Sequence, residues 1–396
     1  MPSVCFCFEV HQPYRLRPYS FFDLGARNDY EDVQQNRSIM RSVAEKCYLP
    51  MNALLLELIE RHQGRFRVSF SLSGVVLDQL MEYAPDALES FRALARTGCV
   101  EFLDETDGHS LACIFSEDEF RSQIQRHRER MLELFGQRPR AFRNTEFIYN
   151  NEVARIVEEM GYSTVLADGA SQSLDWRSPH FVYRPRGCSN LKLMLKSESL
   201  SDDIAFRFSS RAWPAYPLMA DTFAGWLRGM KGNGEVINLF MNYETFGELQ
   251  WAETGIFDFM RALPDEVLRD PDFDFLTVSE AADRYPVRDE LDIPWYVCRT
   301  GAGQDLSAWL GNDMQKDAAR ALYECQGMVA YLGNDEVTKT WRRLQSSDHL
   351  YYMNVPQSQD GGAAFFSPYK TPLEAYTNFM NVLADFRIRL FAESNR

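Results

Sequence analysis

The chain has 396 residues with 42 basic and 57 acidic side chains, a formal net charge of −15. This balance excludes nucleic acid as the main partner, because phosphate binding needs clustered Lys and Arg, and no apolar run reaches the 18 or more residues of a membrane span. The length is enough to bury a sizeable core in two or three domains, or in one α/β barrel plus a smaller unit.

From the N-terminus, Val4–Val10 predicts a buried strand ending at His11-Gln12-Pro13. The stretch before it has no basic segment or small-residue cleavage site, so no signal peptide is expected. Cys5 and Cys7 share one face of that strand and serve as small apolar groups. The eight cysteines have no metal-type spacing, which points to a reducing, cytoplasmic setting. Pro50–His62 has helical spacing and Arg67–Leu72 reads as the next strand. Val100–Leu103 is a third strand, running into the polar stretch Asp104–His109. Glu117–Gly136 predicts an amphipathic helix with Phe120, Ile124, Met131, Leu134 and Phe135 on one face. Ala141–Phe142 leads into Arg143-Asn144-Thr145-Glu146, and a helix from about Glu152 ends at Gly161. Ser163–Leu166 and Val236–Met241 continue the strand series, the latter ending in Asn242-Tyr243-Glu244-Thr245-Phe246-Gly247.

The fold expected is α/β: an incomplete (β/α)7 TIM-like barrel over residues 1–285, followed by a helical C-terminal domain over 286–396 that contributes to the cleft. After Pro286 no strand series is expected; Asp305–Leu332 and Leu373–Leu390 read as helical, and Ser358–Gly362 as a loop. The polar clusters at His11, Glu105/His109, Glu146 and Asn242/Glu244 each follow a predicted strand. In a parallel barrel those strand ends gather on one face, which carries the active site.

Two carboxylates on such a rim can cleave a glycosidic bond, one attacking the anomeric carbon while the other, kept protonated, donates to the leaving oxygen. Taken singly, Glu146 could be a solvated loop carboxylate, His11 a turn residue and Glu244 a structural acid. The six histidines lack HExxH or comparable spacing, so no metal and no cofactor are expected. Trp213 and Trp251 are candidates to stack on sugar rings, whereas Trp176, Trp295, Trp309 and Tyr351 read as packing residues.

Seven stretches, in order, carry a resemblance: Glu9–Arg17, Phe142–Tyr149, Trp176–Pro179, Leu200–Ser209, Tyr243–Glu248, Leu306–Asn312, and Leu344–His349 with Tyr351-Tyr352-Met353. Together they resemble the α-amylase-type branch of glycoside hydrolase family 57. The resemblance implies a retaining mechanism on α-1,4-glucans or maltooligosaccharides, with Glu146 on the nucleophile position. It places His11, Glu105, His109, Asp348 and His349 along the substrate cleft, with Glu244 beside them.

The family's general acid is the aspartate opening its Asp-Tyr-Glu-Thr-Phe-Gly motif, and this chain has Asn242 there. An amide cannot deliver a proton to a leaving group. Further departures are Leu249 for a histidine, Asp107-Gly108 for an aromatic pair, and Thr300–Gly303 for an acidic stretch. The expectation is therefore an α-amylase-like hydrolase of impaired or absent activity. A glucan-binding pseudoenzyme and a transglycosylase remain alternatives. Glu244, two residues on, would share a face with Asn242 if the strand continues, and is a candidate replacement acid.

Overall fold

In the computed structural model, residues 2–169, 174, 176–299, 303–355 and 367–395 are described. The strands are β1 (Ser3–Val10), β2 (Val68–Leu72), β3 (Val100–Phe102), β4 (Ala141–Arg143), β5 (Thr164–Ala167), β6 (Tyr183–Pro185), β7 (Lys192–Leu195), β8 (Val236–Asn242), β9 (Asp274–Phe275) and β10 (Asp289–Leu291). All eight residues of β1 are buried, as expected of a parallel strand covered on both faces. β1 pairs in parallel with β2 from Phe6↔Val68 to Val10↔Leu72, and with β8 from Ser3↔Val236 to Glu9↔Asn242. β2 pairs with β3, while β4, β5 and β7 form a second parallel run.

Two single bridges, Asp104↔Phe142 and Lys196↔Asn238, join these runs into one ring. The order around it is β1-β2-β3-β4-β5-β7-β8, seven parallel strands whose two seams are held by one bridge each. β6 and β10 extend the second run outside the ring.

The strand alternation sorts the barrel's two faces. On β1, Val4, Phe6, Phe8 and Val10 join the core under the surrounding helices, while Cys5 and Cys7 join a separate cluster with Ala141, Met194 and Phe240. Cys5, Cys7 and Ala141 are small enough to leave room for the larger Met194 and Phe240 inside a narrow, closed ring. In the same phase, Glu9 on β1, Ser71 on β2, Arg143 on β4 and Asn242 on β8 turn inward at the C-terminal rim. The interior phase that packs cysteine low in the barrel thus delivers charge at its mouth.

Local chemistry sets the helix ends. Ser116 caps the helix Glu117–Phe135 by accepting from Glu119 N, and Gly136 closes it at φ 68°. Asn150 caps Asn151–Glu159 through Val153 N. The expected helix Asp305–Leu332 is broken into Ser307–Leu310, Asp313–Tyr323 and Gln326–Leu332. Asn312 forms a capping box with Gln315, which starts a new helix at Asp313.

The C-terminal helices share a core with Leu16, Tyr19 and Tyr30 from the segment after β1. The long helix Pro372–Ser394 holds that segment through Asn378 Oδ1 to Tyr19 N (2.6 Å) and Asp385 Oδ2 to Tyr30 Oη (2.7 Å). Past Pro286 the chain still adds β10 and a bridge from Val297 to Tyr149, strand contacts not expected there. The loop expected at Ser358–Gly362 lies outside the described residues. Among the described residues no helix is long and apolar enough to cross a membrane.

Gly247 closes the turn after β8 at φ 107°, and a Cβ there would lie 2.1 Å from the Lys46 carbonyl oxygen. Gly247→Ala is therefore expected to lower stability by roughly 2 kcal/mol or more, since backbone strain and backbone contact act together. A urea midpoint unchanged from the parent would contradict this.

Candidate active site

The cleft at the C-terminal rim is lined by Glu9, His11, Arg15, Glu146, Asn242, Glu244, Leu249, Arg299 and Asp348, with Trp309 and Tyr351 on its C-terminal-domain side. Glu146 sits in the short turn Thr145–Phe147 directly after β4, with φ 53° and ψ 24°. Phe147 follows at φ 57°, and His109 is held at φ 50°. Left-handed backbone at non-glycine residues is strained by about 1–3 kcal/mol each and clusters at functional sites. Here the turn projects the Glu146 carboxylate into the cleft while Phe147 packs its ring edge-on against Phe240 (4.3 Å) in the barrel interior.

Under the cleft floor lies a fully buried charge network. Arg143, with no solvent exposure, reaches Glu9 Oε1 at 2.9 Å and also donates to Glu105. Ser71 Oγ donates to Glu105 Oε2 (2.6 Å), and His109 Nδ1 meets Glu105 Oε1 at 3.2 Å. His109 Nε2 points at Glu146 Oε1 (3.6 Å) and Glu9 Oε1 (3.8 Å), ion-pair rather than hydrogen-bond distances. Burial alone would discharge His109, but Glu105 and then Glu146 outweigh it and raise its pKa to about 10. Burial would likewise protonate Glu146, yet Arg299 and His109 hold it well below the usual carboxylate range. Glu146 is thus an anion with a partly exposed side chain, the state a carboxylate nucleophile requires.

Above His109 the His11 ring stacks at 3.7 Å between centroids. His11 Nε2 meets Asp348 Oδ2 at 2.8 Å and its Nδ1 meets Ser73 Oγ at 2.7 Å, so the ring is fixed from both ends. Asp348 arrives from the C-terminal helices and also accepts from Ser346 Oγ (2.7 Å). The C-terminal region therefore closes the cleft with a carboxylate clamped on a barrel histidine.

Arg299 was not among the residues singled out by sequence, and it occupies the centre of the site. Its Nη1 donates to Asn242 Oδ1 (2.8 Å) and meets Glu9 Oε2 (3.2 Å), while Nη2 reaches Glu146 Oε2 (3.5 Å). Its backbone N–H donates to the Glu146 carbonyl (3.1 Å). One guanidinium thus spans the Glu146 carboxylate and the amide at 242. Glu244 lines the same cleft, where Oε1 accepts from Tyr48 Oη (2.5 Å) and Gln12 Nε2 (3.3 Å). Burial is the main cause that lifts its pKa to about 7. β8 ends at Asn242 and Tyr243–Thr245 turns as a short helix, so Glu244 does not share Asn242's face, the placement expected of a replacement acid.

Other expected site residues sit elsewhere. Trp213 packs edge-on against Trp226 (6.1 Å) outside the barrel. Trp251 is 68% exposed ahead of the turn Ala252–Thr254. Neither lines the cleft: following a strand end in sequence does not place a ring on the rim. His349 is buried against Phe379 (5.4 Å), and burial lowers its pKa to about 4. It neighbours Asp348 on the helix Ser347–Tyr351, and successive helical side chains point about 100° apart. Glu105 and His109 act from beneath the cleft rather than on its wall. Asp107 is turned outward to Arg126 and Arg130, each at 3.0 Å, and Thr300–Ala302 lie outside the described residues. Among the described residues no group of three or more His, Cys, Asp or Glu is placed to hold a metal ion.

His109 has a raised folded-state pKa, so its stabilisation is complete below about pH 6.5 and is lost as pH rises towards 10. Stability should fall between pH 7 and 10, and His109→Gln should flatten that slope. Parallel urea-midpoint profiles for the two proteins would contradict the assignment.

Comparison with known proteins agrees with this architecture. The family model "Glycosyl hydrolase family 57" matches residues 5–294. A protein of Methanocaldococcus jannaschii called "Putative alpha-amylase" is 40% identical over 401 residues, covering 97% of this chain and 84% of that protein. Two solved structures share the fold at low identity. The branching enzyme of Thermococcus kodakaraensis has a TM-score of 0.71 at 13% identity, covering 98% of this chain and 90% of its own. The 4-alpha-glucanotransferase of Thermococcus litoralis has a TM-score of 0.65 at 16% identity, covering 88% of this chain and 56% of its own. The family match over most of the chain, on a seven-stranded barrel with its cleft at the strand ends, makes this protein a member of glycoside hydrolase family 57.

Proposed function

We propose that this protein acts on α-1,4-glucans by a retaining, double-displacement route in which Glu146 is the nucleophile and the general acid is missing. The observation that carries the reading is the Arg299 guanidinium, held at once by Glu146 and Asn242 within one cleft. Glu146 attacks the anomeric carbon as a carboxylate kept ionised by Arg299 and His109. At Asn242 the chain offers only an amide, which can bind a sugar hydroxyl but cannot protonate a departing one. General acid assistance is worth about 10²–10⁴-fold, so hydrolysis of ordinary glucans is impaired to that extent. His11, Asp348 and Glu244 contact substrate, and Glu105 and His109 position Glu146 from below. The eight cysteines remain thiols in keeping with a cytoplasmic setting.

A binding protein that keeps the cleft without turnover is the rival that Asn242 favours. A transglycosylase shares the glycosyl-enzyme and differs only in the acceptor that meets it.

A substrate with an activated leaving group separates these readings. A dinitrophenyl α-maltoside should be cleaved at least 100-fold faster than maltotetraose, and Glu146→Gln should abolish that cleavage. No turnover of the activated substrate would establish binding alone.

Restoring the carboxyl is a sharper probe of the cleft. Asn242→Asp would set a carboxylate 2.8 Å from Arg299, which would keep it ionised and unable to donate. The single variant should therefore gain less than tenfold on maltotetraose, and Asn242→Asp with Arg299→Gln substantially more. A gain of several hundredfold from Asn242→Asp alone would contradict the control assigned to Arg299.

A further inference from the structure

The cleft has lost a proton donor and holds fixed positive charge in its place. Arg299 donates to the side chain at the acid position. Arg15 lines the same cleft, its two Nη atoms bound only by the neutral oxygens of Pro13 and Gln12, each at 2.9 Å. Among the described residues Arg15 has no carboxylate partner. The other carboxylates are engaged: Glu9, Glu105 and Glu146 with Arg143, His109 and Arg299, and Asp348 in a hydrogen bond with His11. Glu244, the remaining acid of the lining, is lifted by burial to about 7, which weakens the opposing negative charge near neutral pH.

A general acid is needed when the group that leaves is an alkoxide. A leaving group that departs as a stable anion needs a cation beside it instead, and guanidinium is the side chain that best matches phosphate oxygens. We propose that this cleft uses α-glucosyl donors whose leaving group is a phosphate, either a glycosyl phosphate or a nucleoside diphosphate sugar, and passes the glucosyl unit to an acceptor glucan. This rests on Glu146 being the nucleophile, and goes beyond it by naming the donor.

The step balances without a protein acid. A Glu146 oxygen bonds to the anomeric carbon as the bond from that carbon to the phosphate oxygen breaks, and the electron pair leaves with the phosphate. A glycosyl phosphate reacting as its monoanion departs as hydrogen phosphate dianion. A nucleoside diphosphate sugar departs as the nucleoside diphosphate trianion. Arg299 and Arg15 balance the charge that appears. An acceptor hydroxyl then attacks the anomeric carbon and displaces Glu146, its proton passing to the released phosphate, which takes up a proton near neutral pH.

The test supplies α-maltosyl 1-phosphate and a nucleoside diphosphate α-glucose separately, each with maltotetraose as acceptor. Release of phosphate or nucleoside diphosphate is measured alongside chain lengthening. One donor should react at least 100-fold faster than maltotetraose alone is cleaved, and Glu146→Gln should abolish it. The monoester should slow above about pH 6 as it becomes a dianion, whereas the diphosphate sugar should not, which separates the two sources. Arg15→Gln and Arg299→Gln should each slow the phosphate donor at least tenfold more than they slow dinitrophenyl α-maltoside cleavage, with partial recovery in Arg299→Lys. Equal slowing of both substrates would make the arginines merely structural and overturn the proposal. Cleavage of the aryl maltoside with no release from either donor would overturn it while leaving Glu146 as nucleophile. Failure of all three substrates would remove both readings.

Discussion

Three carboxylates, Glu9, Glu105 and Glu146, are brought together at the barrel mouth, and they can coexist there only because cations are interleaved between them. Arg143, His109 and Arg299 supply that charge. A buried charge left without its partner is destabilising by about 3–5 kcal/mol, so no member of this network is independent of the others. The barrel's geometry is what brings the network together. Strands from both ladders must reach one point for Glu9 and Arg143 to meet, and the two single-bridge seams are where the ring closes to allow it. The C-terminal helices complete the site by bringing Asp348 onto His11.

The network also decides what the cleft can do. It fixes Glu146 as an anion at the end of a strained turn, which suits nucleophilic attack. The same guanidinium that stabilises this anion occupies the hydrogen-bonding position beside Asn242. On the proposed reading, the amide at 242 and the placement of Arg299 are one arrangement, in which fixed positive charge stands where a proton donor would. Reactivity then depends on how well the leaving group carries its own electrons.

Much of the fold was legible because the physics is local. The run Val4–Val10 is apolar throughout, as a strand covered on both faces must be, and the Ser116 and Gly136 caps bracket their helix. β7 was passed over because Lys192–Leu195 is four residues long with no alternation to mark it. The break at Asn312 was a capping signal available in the sequence and not used. Within the site, Glu146, His11 and Asp348 could be placed through their motifs. Glu9 could have been found from its phase with Cys5 and Cys7, which turns it into the barrel. Arg299 lies in an irregular segment with no periodicity, and its contacts span residues 9 to 299, so only the folded chain brings it to Asn242. Trp213, Trp251 and His349 show the converse: adjacency in sequence to a functional segment says little about where a side chain points.

The account turns on Glu146 forming a covalent bond to the sugar without a protein acid. Fluoride leaves as an anion and needs little proton donation, so an α-glucosyl fluoride with a second fluorine at the sugar's C5 should form the glycosyl-enzyme and turn over slowly. Intact-mass analysis followed by peptide mapping should find one glycosyl unit per chain, on the peptide containing Glu146, and none in Glu146→Gln. Labelling at another carboxylate, or none in a protein that retains its fold, would contradict the account.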